Sequence, residues 1–114
     1  RLPLISVMRG INSRDMDQTT SACMAAAVRA FYDRHPYPPP VTDLDDCRQR
    51  WQDEDRRRAD YHLYWPGRLY RDNLNILIAG CGTAQAARYA LRQPEASVTG
   101  IDVSSTSIEQ TQAL

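Results

Sequence analysis

The tightest constraint on this chain is a five-residue apolar run, Asn75-Ile76-Leu77-Ile78-Ala79, that passes without a spacer into Gly80-Cys81-Gly82. A short run of branched side chains suits a strand covered on both faces, as in a parallel sheet. The two glycines let the backbone turn sharply, and the alanine-rich stretch Thr83 to Arg92 is then predicted as a helix. Gln93-Pro94 closes it, since a residue before proline is pushed out of the α region. Residues 97–103 read as a second strand, with Ser104 or Ser105 placed to cap another helix running to Leu114. Strand, helix, strand, helix within about forty residues is an α/β signature.

The glycine loop is the candidate for chemistry. Bare Cα positions at 80 and 82 allow a ligand to approach the backbone, and the helix behind them offers free N–H groups and the positive end of its dipole. Asp102 lies twenty-two positions beyond Gly80, at the tip of the second strand. A carboxylate there is placed to accept the hydroxyls of a ribose. Together these parts describe a nucleoside-binding geometry; the bland alternative is a structural turn, with Asp102 capping the strand end or the next helix. The dinucleotide fingerprint needs a small third residue where this chain has Gln85, which counts against NAD or FAD. The spacing Gly-x-Gly-x-small is met instead by Ala84.

That loop resembles motif I of class I S-adenosylmethionine-dependent methyltransferases, and Val28-Arg29-Ala30-Phe31-Tyr32-Asp33-Arg34-His35-Pro36-Tyr37-Pro38 upstream of it strengthens the resemblance. The pair looks like a bacterial group of methyltransferase-domain proteins in which a Pro-Tyr-Pro segment precedes an AGCGT form of the motif. The resemblance covers roughly residues 28–114. It implies a Rossmann-like doubly wound sheet, S-adenosyl-L-methionine as cofactor, and transfer of its methyl group to an acceptor it does not identify. It places cofactor contacts at Ala79, Gly80, Cys81, Gly82, Asp102 and Val103, and names no general base. The sequence departs from the family pattern at Ile78, where an acid is usual, and at Ala84, where a third glycine is usual.

Upstream of the sheet the chain reads as a helical extension, 1–66, joined to the Rossmann-like part, 67–114. Residues 1–12 alternate weakly and are an arm or a strand. A helix is expected over about 15–33, with Met24, Ala27, Val28 and Phe31 on one face. His35-Pro36 stops it, and Pro36, Pro38, Pro39 and Pro40 make a stiff extended connector through Tyr37. One further helix is predicted from Thr42, through a capping box with Asp45, to the turn at Trp65-Pro66-Gly67. Leu44, Cys47 and Trp51 mark its buried side, and Asp46–Arg50, Asp53–Arg57 and Glu54–Arg58 are acid-before-base pairs at i, i+4. Tyr32 and Tyr37 are either a lid over the cofactor or surface aromatics packed on prolines. Trp51, Tyr61, Tyr64 and Trp65 read as core or interface before substrate cage, and Arg56-Arg57-Arg58 as a solvated helix face.

Fourteen basic and fourteen acidic residues cancel, which removes any global pull toward nucleic acid or anionic lipid. No run approaches the roughly 18 apolar residues of a membrane span. Cys23, Cys47 and Cys81 are an odd set without CxxC spacing, read as reduced thiols in a cytoplasmic setting. His35 and His62 lack neighbours at metal spacing, so no metal is expected. The sequence opens on Arg1 and ends within the last helix-like stretch, which reads as an N-terminal fragment. Two strands alone leave an exposed edge and a bare face, so weak cofactor binding, no turnover, and self-association or pairing through the sheet edge are expected. Three other classes are weighed beside this one: an NAD-dependent oxidoreductase, a non-catalytic partner-binding module, and an RNA-modifying enzyme using the arginine-rich helix.

Overall fold

The structure, a computed structural model, describes residues 4–9 and 18–114. It is a mixed α/β arrangement of three strands and five helices in the order β1 (Leu4–Arg9), α1 (Gln18–Arg34), α2 (Asp45–Trp51), α3 (Glu54–Tyr64), β2 (Asn75–Ala79), α4 (Gln85–Arg92), β3 (Ser97–Asp102) and α5 (Ser105–Gln112). All strands are parallel, in the order β1-β3-β2. The two-strand expectation is therefore corrected. The N-terminal arm is a third strand, its Leu4 beside Ser97 and its Arg9 beside Asp102, and it covers the edge of β3 that β2 leaves open. Among the described residues the outer edges of β2 and β1 are unpaired.

Period-two alternation sorts β2 and β3 into two faces. Ile76, Ile78 and Val98 pack with Cys81, Ala86, Ala90 and Ala96 under α4. Gly100 belongs to this face too, because a Cβ there would stand 2.9 Å from Cys81 Sγ and 3.0 Å from Ala86 Cβ. The opposite face carries Leu77, 66% exposed, with Thr99 and Ile101 only half covered. The core is thus one-sided and built of small side chains, which brings α4 close to the sheet.

The single helix expected from Thr42 to Tyr64 is two helices. Asp53, extended at φ −69° and ψ 112°, caps α3 and accepts from the N–H of Asp55 at 3.0 Å and of Arg56 at 3.2 Å. A carboxylate at an N-cap satisfies donors that have no intrahelical partner, a stronger use than an exposed i, i+4 pair. Arg57 Nη1 turns back to the carbonyls of Trp51 and Gln52 and so closes the C-terminus of α2. Glu54–Arg58 does form, at 2.6 Å. The Thr42 capping box is also corrected. Leu44 is the N-cap of α2 and caps nothing with its side chain, while Asp43 Oδ1 accepts from Asp45 N at 3.2 Å.

Leu44 is buried and Cys47 and Trp51 half-buried against Gln85, Arg88, Tyr89 and Arg92 of α4. Arg92 holds the junction. Its guanidinium pairs with Asp60 of α3 and lies 4.9 Å from the Trp51 ring, 5.2 Å from Tyr89 and 5.9 Å from Tyr64. Tyr61, buried, meets Trp65 at 4.9 Å and Tyr70 edge-on at 5.4 Å. Tyr61 and half-buried Trp51 thus pack within the helical layer, whereas Tyr64 and Trp65 are exposed.

The face of α1 read from Met24, Ala27, Val28 and Phe31 is helical but uncovered among the described residues, with Met24 65% and Phe31 53% exposed. The expected start of that helix, Asp15 to Asp17, lies outside the described residues. α5 closes at Gln112, where the Ala113 N–H returns to Glu109 and Gln110, so the helix does not run to Leu114. No helix of the described residues is long and apolar enough to cross a membrane.

Candidate functional site

At the C-terminal ends of β2 and β3 the chain encloses a cavity of about 360 Å³ lined by Tyr32, Tyr37, Gly80, Gly82, Ile101, Asp102, Val103 and Ser107. Small-molecule sites start at roughly 300 Å³ and sit preferentially at such strand ends. The wall begins with the turn after β2. Gly80 and Gly82 both adopt positive φ, +69° and +54°, a region that penalises any side chain.

The glycines have different neighbours. A Cβ on Gly80 would meet nothing within 4 Å, so its bare side is open space. A Cβ on Gly82 would stand 2.5 Å from the Tyr37 carbonyl oxygen and 3.0 Å from Pro38 Cδ. The close approach at Gly82 is made by the chain's own proline connector. Both glycines line the cavity, and only at Gly80 is the Cβ direction itself open.

Asp102 is fixed by backbone donors. Oδ2 accepts the Gly82 N–H and Oδ1 the Ser104 N–H, each at 2.8 Å. Glycine loop and carboxylate are therefore in direct contact, and the open volume lies beside them. Gly80 N and Cys81 N both donate to the Ile101 carbonyl, at 2.8 and 3.0 Å. These loop amides are tied to the end of β3.

Of the six residues singled out for cofactor contact, Gly80, Gly82, Asp102 and Val103 line the cavity. Ala79 and Cys81 are not among its lining residues. Cys81 packs into the core against Gly100, and burial, followed by the charge of Asp102, pushes its thiol pKa up. A nucleophile needs the opposite environment.

Other contributors were not legible as site residues. Ser107 lies on the first turn of α5, behind the N-cap Ser104, whose hydroxyl accepts from Ser107 N at 3.1 Å. Thr111 Oγ1 donates to the Gly82 carbonyl at 2.8 Å. Asp33 of α1 accepts the Ser104 hydroxyl at 2.6 Å and the Thr106 N–H at 3.3 Å, and these bonds hold its carboxyl below the usual range. They tie the end of α1, with Tyr32, to the sheet. The signal for Asp33 was thin: an acid in a helix's last turn that finds its partner seventy-one positions away.

Among the described residues no three His, Cys, Asp or Glu side chains are grouped to hold a metal. His35 stacks on Phe31 at 4.9 Å and His62 Nδ1 lies 3.4 Å from the Trp65 carbonyl.

No protein-family model matches the chain, and no solved structure matches it. Among curated proteins it is 37% identical over 86 residues to the "Uncharacterized phycocyanin operon protein W" of Pseudanabaena tenuis (strain PCC 7409), a match covering 70% of this chain and 76% of that one. At that identity and coverage, the chain belongs to the family of phycocyanin operon protein W.

Proposed function

We propose that the chain binds S-adenosyl-L-methionine in this cavity, as the start of a Rossmann-like doubly wound sheet, and serves methyl transfer to an acceptor still to be identified, in the cytoplasm. The observation that carries the reading is the meeting of an open glycine turn at Gly80 and a strand-end carboxylate at Asp102 in one cavity. The relative's name mentions a phycocyanin operon and no reaction, so the reading rests on the cavity.

The residues present fit such a ligand. Each oxygen of Asp102 accepts one backbone N–H and keeps a lone pair, so the carboxylate is oriented in advance and can still accept ribose hydroxyls. Gly80 leaves room for the ligand to lie against the loop, and exposed Val103 offers an apolar surface beside the acid. The bound cofactor supplies an electrophilic methyl group; the chain's part is to bind it and fix its direction, which is catalysis by positioning. No side chain of the cavity is assigned as a general base.

Thermal shift with S-adenosylhomocysteine and with NADH separates this reading from the oxidoreductase. S-adenosylhomocysteine should raise Tm and NADH should not, and Asp102→Asn should cancel the rise. Stabilisation by NADH alone, or an equal S-adenosylhomocysteine shift in the variant, refutes it.

A further inference from the structure

The proline connector is built into the cavity wall, and one hydroxyl holds it there. Pro36, Pro38, Pro39 and Pro40 carry no N–H, so this segment is attached mainly through its carbonyls, to a donor supplied from elsewhere. Thr83, 1% exposed, is that donor: its Oγ1 gives a hydrogen bond of 2.7 Å to the Pro38 carbonyl, forty-five positions away. The neighbouring residue completes the seat, because the Tyr37 carbonyl and the Pro38 ring occupy the space a Cβ of Gly82 would take. The seat itself is fixed from behind: Gly82 N donates to Asp102, and Gly82 O accepts from Thr111. The residue so delivered is Tyr37, which lines the cavity while 72% exposed.

Resting on the nucleoside reading above, we propose that Thr83 is a positioning residue: it seats the Tyr37–Pro38 segment and so holds the Tyr37 ring at the cavity as a face against which the ligand packs. The ring does not depend on its hydroxyl for this, whereas its place depends on the Thr83 hydroxyl. Thr83→Val removes the donor and keeps the shape, Thr83→Ser restores the donor, and Tyr37→Ala removes what is delivered.

The test is a double-mutant cycle on the full chain, with S-adenosylhomocysteine affinity read by calorimetry and, beside it, the NMR chemical shifts of Tyr37 and Val41, which keep the amides of this proline-rich stretch. Thr83→Val should weaken binding about five- to tenfold, the scale of one lost hydrogen bond, and Thr83→Ser should bring it back to within about twofold. In the Tyr37→Ala background Thr83→Val should have no further effect, which is the mark of two residues acting through one contact. The Tyr37 and Val41 signals should shift in Thr83→Val and return in Thr83→Ser, while those of α3 stay in place, ligand or no ligand. Undiminished affinity in Thr83→Val, or the same loss with Tyr37 already removed, overturns the proposal. Should the unaltered chain bind no S-adenosylhomocysteine, the nucleoside reading and the ligand half of the proposal fall together. The chemical shifts then still decide whether Thr83 seats the connector, and unmoved Tyr37 and Val41 signals overturn that half as well.

Discussion

Replacing Gly82 and Gly80 separately by alanine tests how the loop is built. Both residues sit at positive φ, so either alanine meets the steric cost of the left-handed region, about 1–2 kcal/mol. At Gly80 that is all, since a Cβ finds open space there. At Gly82 the new methyl would stand 2.5 Å from the Tyr37 carbonyl oxygen, and the obstacle is backbone, which cannot rotate away. Something must shift, at an overpacking cost of about 1–3 kcal/mol. Gly80→Ala should therefore lose about 1–2 kcal/mol and Gly82→Ala about 2–5 kcal/mol. The gap, about 2 kcal/mol at its centre, corresponds to roughly 6–12 °C in Tm for a chain of this size. Urea unfolding with an unchanged slope would report it as stability alone. The Tyr37 amide signal in NMR spectra should move further in Gly82→Ala than in Gly80→Ala. Equal destabilisation by the two alanines would falsify the claim that the connector presses on Gly82.

Asp60→Asn leaves Arg92 without its carboxylate in a half-buried aromatic setting, and removing one partner of such a pair should cost about 2–4 kcal/mol; a loss under about 0.5 kcal/mol by denaturant titration would mean that the aromatic rings hold Arg92 unaided. Asp33 has its carboxyl held below the usual value of 3.8 by Ser104 and Thr106, so its contribution to stability is complete above that pH and fades as pH falls through the lowered value. Asp33→Asn should flatten this acid limb of the stability curve as pH falls below 3.8, and an unchanged limb would show that other carboxylates set it. Cys23 is exposed and Cys81 buried with its thiol pushed up, so a thiol reagent should label Cys23 at once and Cys81 only at the rate of unfolding; rapid native-state labelling of Cys81 would contradict its place in the core.

The β-α-β segment was legible because its signals are local. An apolar run of five, two glycines, an alanine-rich helix and a strand-end acid each act within a few positions, and the Ser104 cap falls where its sequence puts it. What the sequence hid is non-local or a matter of competition. β1 pairs with a strand ninety-three positions away, and register across that distance leaves no trace in local periodicity. The break at Asp53 was hidden because one carboxylate had two plausible uses, and the cap outcompeted the ion pair. The glycine loop shows how one spacing can serve two purposes. Its spacing is the same whether the missing Cβ admits a ligand or the chain's own proline connector, and only the atoms beside each glycine distinguish the two. A Cβ on Gly80 would face open volume, one on Gly82 would meet Tyr37, and Thr83 binds the carbonyl of Pro38. A segment that looked like a linker in sequence is thereby part of the candidate site. The Pro-Tyr-Pro stretch and the glycine motif therefore constrain each other, because a larger residue at 82 would displace the connector and a displaced connector would open the wall behind Asp102.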